Sequence, residues 1–185
     1  MAVKEKVHRS IWMFMAILFL VTALGVGLYA FWVNTHSSTK DDQLSNYIKC
    51  PAITITAKQE KKNGKLEGAK LAGFKPVDSV GYLKCQDIKV GTGATATATS
   101  NITAMYTGAL AKDGIIFQSS EDTGQPFTTT LDQVIKGWAV GIPGMKVGGQ
   151  RRLIIPAQYA YGAQSAGNIP ANSDLVFDIT LLAAK

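Results

Sequence analysis

Few side chains in this sequence are placed for acid, base or metal chemistry. The two histidines, His8 and His36, flank an uncharged stretch at residues 11–33, so neither is near enough in sequence to activate Cys50 or Cys85 as a nucleophile. No paired carboxylates or metal-ligand spacing stand out. Gly91-Thr92-Gly93 lacks the third glycine of a dinucleotide fingerprint and precedes a strand-like segment rather than a helix. What remains is aromatic. The stretch QVIKGWAVGIPGMKVGGQRR, residues 133–152, sets Trp138 among the helix breakers Gly137, Gly141 and Pro143. A large ring in that setting is either a core plug or the floor of a pocket, and such a pocket would work by shape and desolvation.

The elements that must position this ring can be read from periodicity. In NITAMYTGAL, Ile102, Ala104, Tyr106, Gly108 and Leu110 share one face of a strand. In LVFDITLL, Leu175, Phe177, Ile179 and Leu181 share one face, with Asp178 and Thr180 on the other. YLKCQDIKV, IIFQSS and RRLIIPA read as further strands separated by turn residues. Asp132 is placed to cap a helical turn from Gln133 to about Val140. Arg151 and Arg152 read as surface charges at a strand edge, and Met145 as core. Residues 52–58 (AITITAK) alternate like a strand that could pair with 65–71 through an Asn63-Gly64 turn. Four to six antiparallel strands, one short helix and no βαβ alternation predict an α+β fold, a twisted antiparallel sheet wrapped around that helix.

Residues 11–33 (IWMFMAILFLVTALGVGLYAFWV) are long enough as a helix to cross a hydrocarbon core of roughly 30 Å. Trp12 lies near one end and Tyr29 and Trp32 near the other, as at membrane interfaces. Lys4, Lys6 and Arg9 precede the run, which puts the N-terminus in the cytoplasm and the C-terminal domain outside it. A cleaved signal peptide ending near Gly25 or Gly27, giving a secreted domain, is the competing reading, but the apolar run continues past those glycines. The expected organisation is a cytoplasmic N-terminus (1–10), a single transmembrane anchor (11–33), a linker and extension (34–76) and a folded domain (77–185). In an extracytoplasmic domain Cys50 and Cys85 could pair, or they could remain buried thiols. The net charge is +6, with Lys58, Lys61, Lys62, Lys65 and Lys70 clustered as a solvated surface or a patch attracted to anionic lipid. The basic residues are not interleaved with aromatics, which argues against nucleic acid as a partner.

From MYTGALAKDGIIFQSS onward the chain resembles the FKBP-type peptidyl-prolyl cis-trans isomerases, over roughly residues 77–185. The matching pieces are YTG (106–108), DGIIF (113–117), PF (126–127), VIKGW (134–138), GMKVGG (144–149), YAYG (159–162), IP (169–170) and LVFDITLL (175–182), all in the family's order. The resemblance implies a half-barrel sheet and a proline pocket with Trp138 as its floor. Tyr106, Phe117, Phe127, Val134, Ile135 and Phe177 would be the walls. It implies that the Ile135 N–H meets the substrate carbonyl, that the Tyr161 hydroxyl bonds near the rotating amide, and that Ile169 forms the lip of a loop over the pocket. No cofactor or metal is implied. The expected partners are proline-containing polypeptides, macrolide inhibitors and, through the N-terminal helix, the membrane.

One position departs from the family's pattern. The residue after Phe117, usually an aspartate in this family, is Gln118, which keeps hydrogen-bonding capacity to orient Tyr106 but carries no charge. The departure puts macrolide affinity in question more than turnover. Two functions follow: an isomerase aiding extracytoplasmic folding, where slow X-Pro rotation limits rates, or a non-catalytic module holding proline-containing segments in the same pocket.

Overall fold

The computed structural model describes residues 50–185, so the expected membrane segment and the cytoplasmic terminus lie outside the described residues. Among the described residues no helix is long and apolar enough to cross a membrane. Six strands form one antiparallel sheet: β1 (Lys84–Lys89), β2 (Asn101–Leu110), β3 (Ile116–Ser119), β4 (Phe127–Thr130), β5 (Gln150–Ile155) and β6 (Leu175–Ala184). The order is β1-β5-β6-β2-β3, with β4 paired to the first half of β2. One short helix, α1 (Lys136–Gly141), packs on the sheet. Asp132 does not cap it, contrary to expectation. Leu131–Gln133 forms a separate 3-10 turn, Val134 is extended, and Ile135 is the residue at the helix start, with no side-chain cap. Asp132 instead accepts hydrogen bonds from the Thr130 hydroxyl and the Gln133 amide.

The strand period sorts residues onto two faces. Leu153 and Ile155 of β5 join Leu175, Phe177, Ile179 and Leu181 of β6 and Ile102 and Ala104 of β2 in one core with Trp138, Val140, Ile142 and Met145. α1 lies close on this face because two of its residues are glycines: a Cβ on Gly137 would fall 2.4 Å from Ile155, and one on Gly141 2.7 Å from Leu153. The opposite face is not left to solvent. Val176, Ala109 and Ile116 are buried there beneath Leu66, Ala69 and Leu71.

That cover is the extension, residues 50–76, which acts as a strap. At its start Cys50 and Cys85 are joined in a disulfide, and Ile53 N–H and Pro51 C=O bond to Asp87 along the outer edge of β1. The predicted strand at 52–58 does not form, beyond one bridge from Ala52 to Asp87. The Asn63-Gly64 turn does form, with φ of 52° and 79°, but it closes only a Lys62–Lys65 bridge rather than the expected hairpin. Further on, Gly68 and Ala69 bond to Ile116 and so cover the free edge of β3. The strap thereby covers part of the edges at β1 and β3, which would otherwise be templates for pairing with another chain.

Arg151 and Arg152 are not surface charges. Arg152 is 1 % exposed. It pairs with Asp178 at 2.6 Å, donates to the carbonyls of Ala72 and Gly73, and lies over the Phe74 ring, clamping the strap to β6. Arg151, on the helix face, pairs with Asp87 at 2.7 Å and donates to the Gly141 carbonyl at the end of α1. Both are buried because every charge is met by a fork of acceptors.

Candidate functional site: an aromatic cleft over α1

A cleft of about 280 Å³ opens between α1, β2, β3, β4 and β6. Trp138 is its floor, 4 % exposed, held down by the first turn of α1. Tyr106 and Phe177 meet the indole edge-on, each with ring centroids 5.4 Å away, and Phe127 closes the box at 6.3 Å from the indole. Phe117 stacks edge-on against Phe177 at 5.8 Å. Edge-on contact is an arrangement the ring quadrupoles favour over a face-to-face sandwich. Phe127 and Tyr161, 40 % and 42 % exposed, stand at the rim. Gln118, Gln133, Val134 and Ile135 complete the lining.

Each wall has a local cause. β2 carries Tyr106 to the cleft, and its backbone is locked by Ser120, whose Oγ accepts from Tyr106 N–H at 2.9 Å and donates to Tyr106 C=O. Gly108 is the companion that sequence reasoning did not place at the site. A Cβ there would come within 2.6 Å of Phe177 and 2.7 Å of Phe117, so only glycine lets those two rings meet over β2. A glycine inside a strand pattern was the signal available for it. Gln133 is the other residue missed, brought in by the 3-10 turn before α1.

The polar groups of the cleft are unspent. Ile135 C=O accepts from Trp138 N–H and Ala139 N–H, whereas Ile135 N–H makes no hydrogen bond among the described residues. This is one of the donors that every helix start leaves over. Trp138 Nε1 is likewise buried without a partner. No hydrogen bond joins Gln118 to Tyr106, so the expected orienting contact is not made. Burial, and then the neighbouring Tyr161, push the Tyr106 phenol above its usual range, so it keeps its proton and can donate a hydrogen bond.

Of the residues expected at the site, Tyr106, Phe117, Gln118, Phe127, Val134, Ile135, Trp138, Tyr161 and Phe177 all line the cleft. Ile169 does not: it is 6 % exposed and packs into the main core, where its backbone pairs with Ala166. Among the described residues no three acidic, histidine or cysteine side chains converge as a metal site.

A small antiparallel sheet closing on one short helix, with an aromatic cleft over an indole floor, defines a prolyl-isomerase fold. Residues 93–182 match the family model described as FKBP-type peptidyl-prolyl cis-trans isomerase. The chain is 41 % identical over 147 residues to the FKBP-type isomerase FkpA of Aeromonas hydrophila, an alignment covering 78 % of this chain and 54 % of that one. It is 42 % identical over 125 residues to FK506-binding protein 4 of Aspergillus fumigatus, covering 66 % and 25 % respectively. The chain therefore spans about half the length of the first relative and a quarter of the second. Among solved structures, a peptidyl-prolyl isomerase of Pseudomonas syringae is 35 % identical with a TM-score of 0.52, covering 59 % of this chain and 80 % of that one. AtFKBP13 is 38 % identical with a TM-score of 0.52, covering 58 % and 96 %. The chain belongs to the FKBP-type peptidyl-prolyl cis-trans isomerase family.

Proposed function

We propose that the protein catalyses cis-trans isomerisation of X-Pro bonds in polypeptides that fold outside the cytoplasm, held at the membrane by residues 11–33. The observation that carries the catalytic reading is the box of Tyr106, Phe127, Trp138 and Phe177 with the free Ile135 N–H at its edge. X-Pro rotation must break amide resonance against a barrier of roughly 18 to 20 kcal/mol. A twisted amide is less charge-separated than a planar one, so an apolar box disfavours the planar ground state. The Ile135 N–H and the Tyr161 hydroxyl are positioned as donors to the substrate's carbonyls, with no internal acceptor to give up first. Relatives named for binding FK506 make the same cleft a candidate for macrolide inhibitors.

The location is supported by the Cys50–Cys85 disulfide, which suits an oxidising compartment, and by the uncharged run in the sequence. Carbonate washing of membranes should leave the chain in the pellet, and external protease should degrade residues 50–185; release into the supernatant would sink the anchor.

The catalytic reading is tested with the full chain in detergent micelles by two-dimensional exchange NMR on an Ala-Leu-Pro-Phe peptide. Exchange should accelerate, and Trp138→Leu should reduce the effect at least about tenfold, the value of one good transition-state contact. Peptide binding without acceleration would replace the isomerase by the holding module, the reading that Gln118 favours.

A further inference from the structure

The cleft is electrically neutral, and the structure shows why. Its polar side chains are Gln118, Gln133, Tyr106 and Tyr161, none charged at neutral pH. The acidic residues that follow Gln118 in the chain point elsewhere. Glu121 lines a cavity of about 240 Å³ on the strap side of the sheet, and Asp122 accepts from the backbone N–H groups of Leu66 and Glu67 in the strap. Asp178, next to Phe177, is taken up by Arg152 on that same side. The other charges adjacent in sequence to lining residues are Asp132, which holds Thr130 and Gln133, and Lys136, which lies 5.4 Å from the centre of the Tyr159 ring. They are of opposite sign, one in the 3-10 turn before α1 and the other the first residue of α1, and neither is on β3. The side-chain amide of Gln118, exposed on β3, has no hydrogen bond among the described residues. Its amide can donate to a ligand without first breaking an internal bond.

We propose that Gln118 sets the preference for the residue next to proline, and that its free, uncharged amide admits an acidic side chain there. This rests on the isomerase reading and names the substrate class it would favour: polypeptides with Glu-Pro or Asp-Pro bonds alongside apolar X-Pro. A carboxylate on this wall would accept but not donate, and it would repel a substrate carboxylate. The amide can donate as well as accept, and it has no charge to repel one.

The test uses the full chain in neutral detergent and two peptides that differ only in charge at the residue before proline, Ala-Glu-Pro-Phe and Ala-Gln-Pro-Phe. The readout is the ratio of their kcat/KM values from exchange NMR, whatever the absolute rates. Gln118→Glu keeps the shape and adds a charge. It should lower the Glu:Gln ratio about tenfold at low salt, the size expected of one like-charge pair in a partly exposed site. The deficit should shrink in high salt and vanish once both carboxyls are protonated, at about pH 3, more than a unit below the ordinary glutamate pKa. Gln118→Leu, which removes the donor without adding charge, should lower the ratio by a smaller factor. A ratio unmoved by Gln118→Glu, or moved equally at high salt and at about pH 3, overturns the proposal. Should the unaltered chain accelerate neither peptide, the isomerase reading fails instead, and the same ratio taken from peptide dissociation constants decides the role of Gln118.

Discussion

On the strap side of the sheet, Arg152 is almost wholly buried, yet its guanidinium donates to both oxygens of Asp178 and to the carbonyls of Ala72 and Gly73. On the helix side, within the cleft, Ile135 N–H, Trp138 Nε1 and the Gln118 side-chain amide have no partner among the described residues. Strong polar groups are satisfied where the structure is only being held together. They are left open where a peptide would supply the missing partner. A buried polar group without a bond costs stability, so the open groups mark a place where something else has been selected.

The largest effect should come from breaking the satisfied side. Arg152→Ala strands the Asp178 carboxylate and two strap carbonyls, and urea unfolding should show a loss of about 3 to 5 kcal/mol. A loss below 1 kcal/mol would mean that water replaces the clamp and that the contrast between the faces is overstated. Next comes the covalent end of the strap. The Cys50–Cys85 link spans a sequence separation of 35, and replacing both cysteines by serine should cost about 3 to 4 kcal/mol on the chain-entropy account. The strap's contacts with β3 do not depend on that link, so hydrogen exchange should rise more at Asp87 than at Ile116. Equal loss at both ends would show that the strap comes off as one piece.

The smallest effect belongs to the cleft. Tyr106 has a raised pKa in the folded protein, so the unfolded chain releases its proton first as pH climbs past about 10. The contribution is intact below that value and is lost as pH rises through the folded pKa, giving a shallow fall in stability on the alkaline side. Tyr106→Phe should flatten that fall, and an unchanged slope would assign it to other tyrosines or lysines.

The strands and the ring floor were legible because their information is local. Alternation placed Leu175, Phe177, Ile179 and Leu181 on one face, all buried in the core, and the glycines around Trp138 announced a helix packed close to a sheet. Gln118, Phe117 and Tyr161 could be named from short motifs, and they do line the cleft. The failures have a common cause. Arg151 and Arg152 read as surface residues since nothing adjacent in sequence neutralises them. Their carboxylates arrive from Asp87, 64 positions away, and Asp178, 26 positions away. The strap alternates weakly and carries lysines, so its sequence left it as a linker and extension, and only the edges of β1 and β3 give its backbone a reason to be ordered. Ile169 was assigned to the cleft by its motif, but the loop's closure onto the core decided where its side chain went. Sequence by itself determined strand phase, the helix breakers and the inventory of rings, because those follow from neighbours along the chain. Tertiary structure alone decided which charges could be buried and which donors stayed open, because both depend on partners that meet only when distant segments pack.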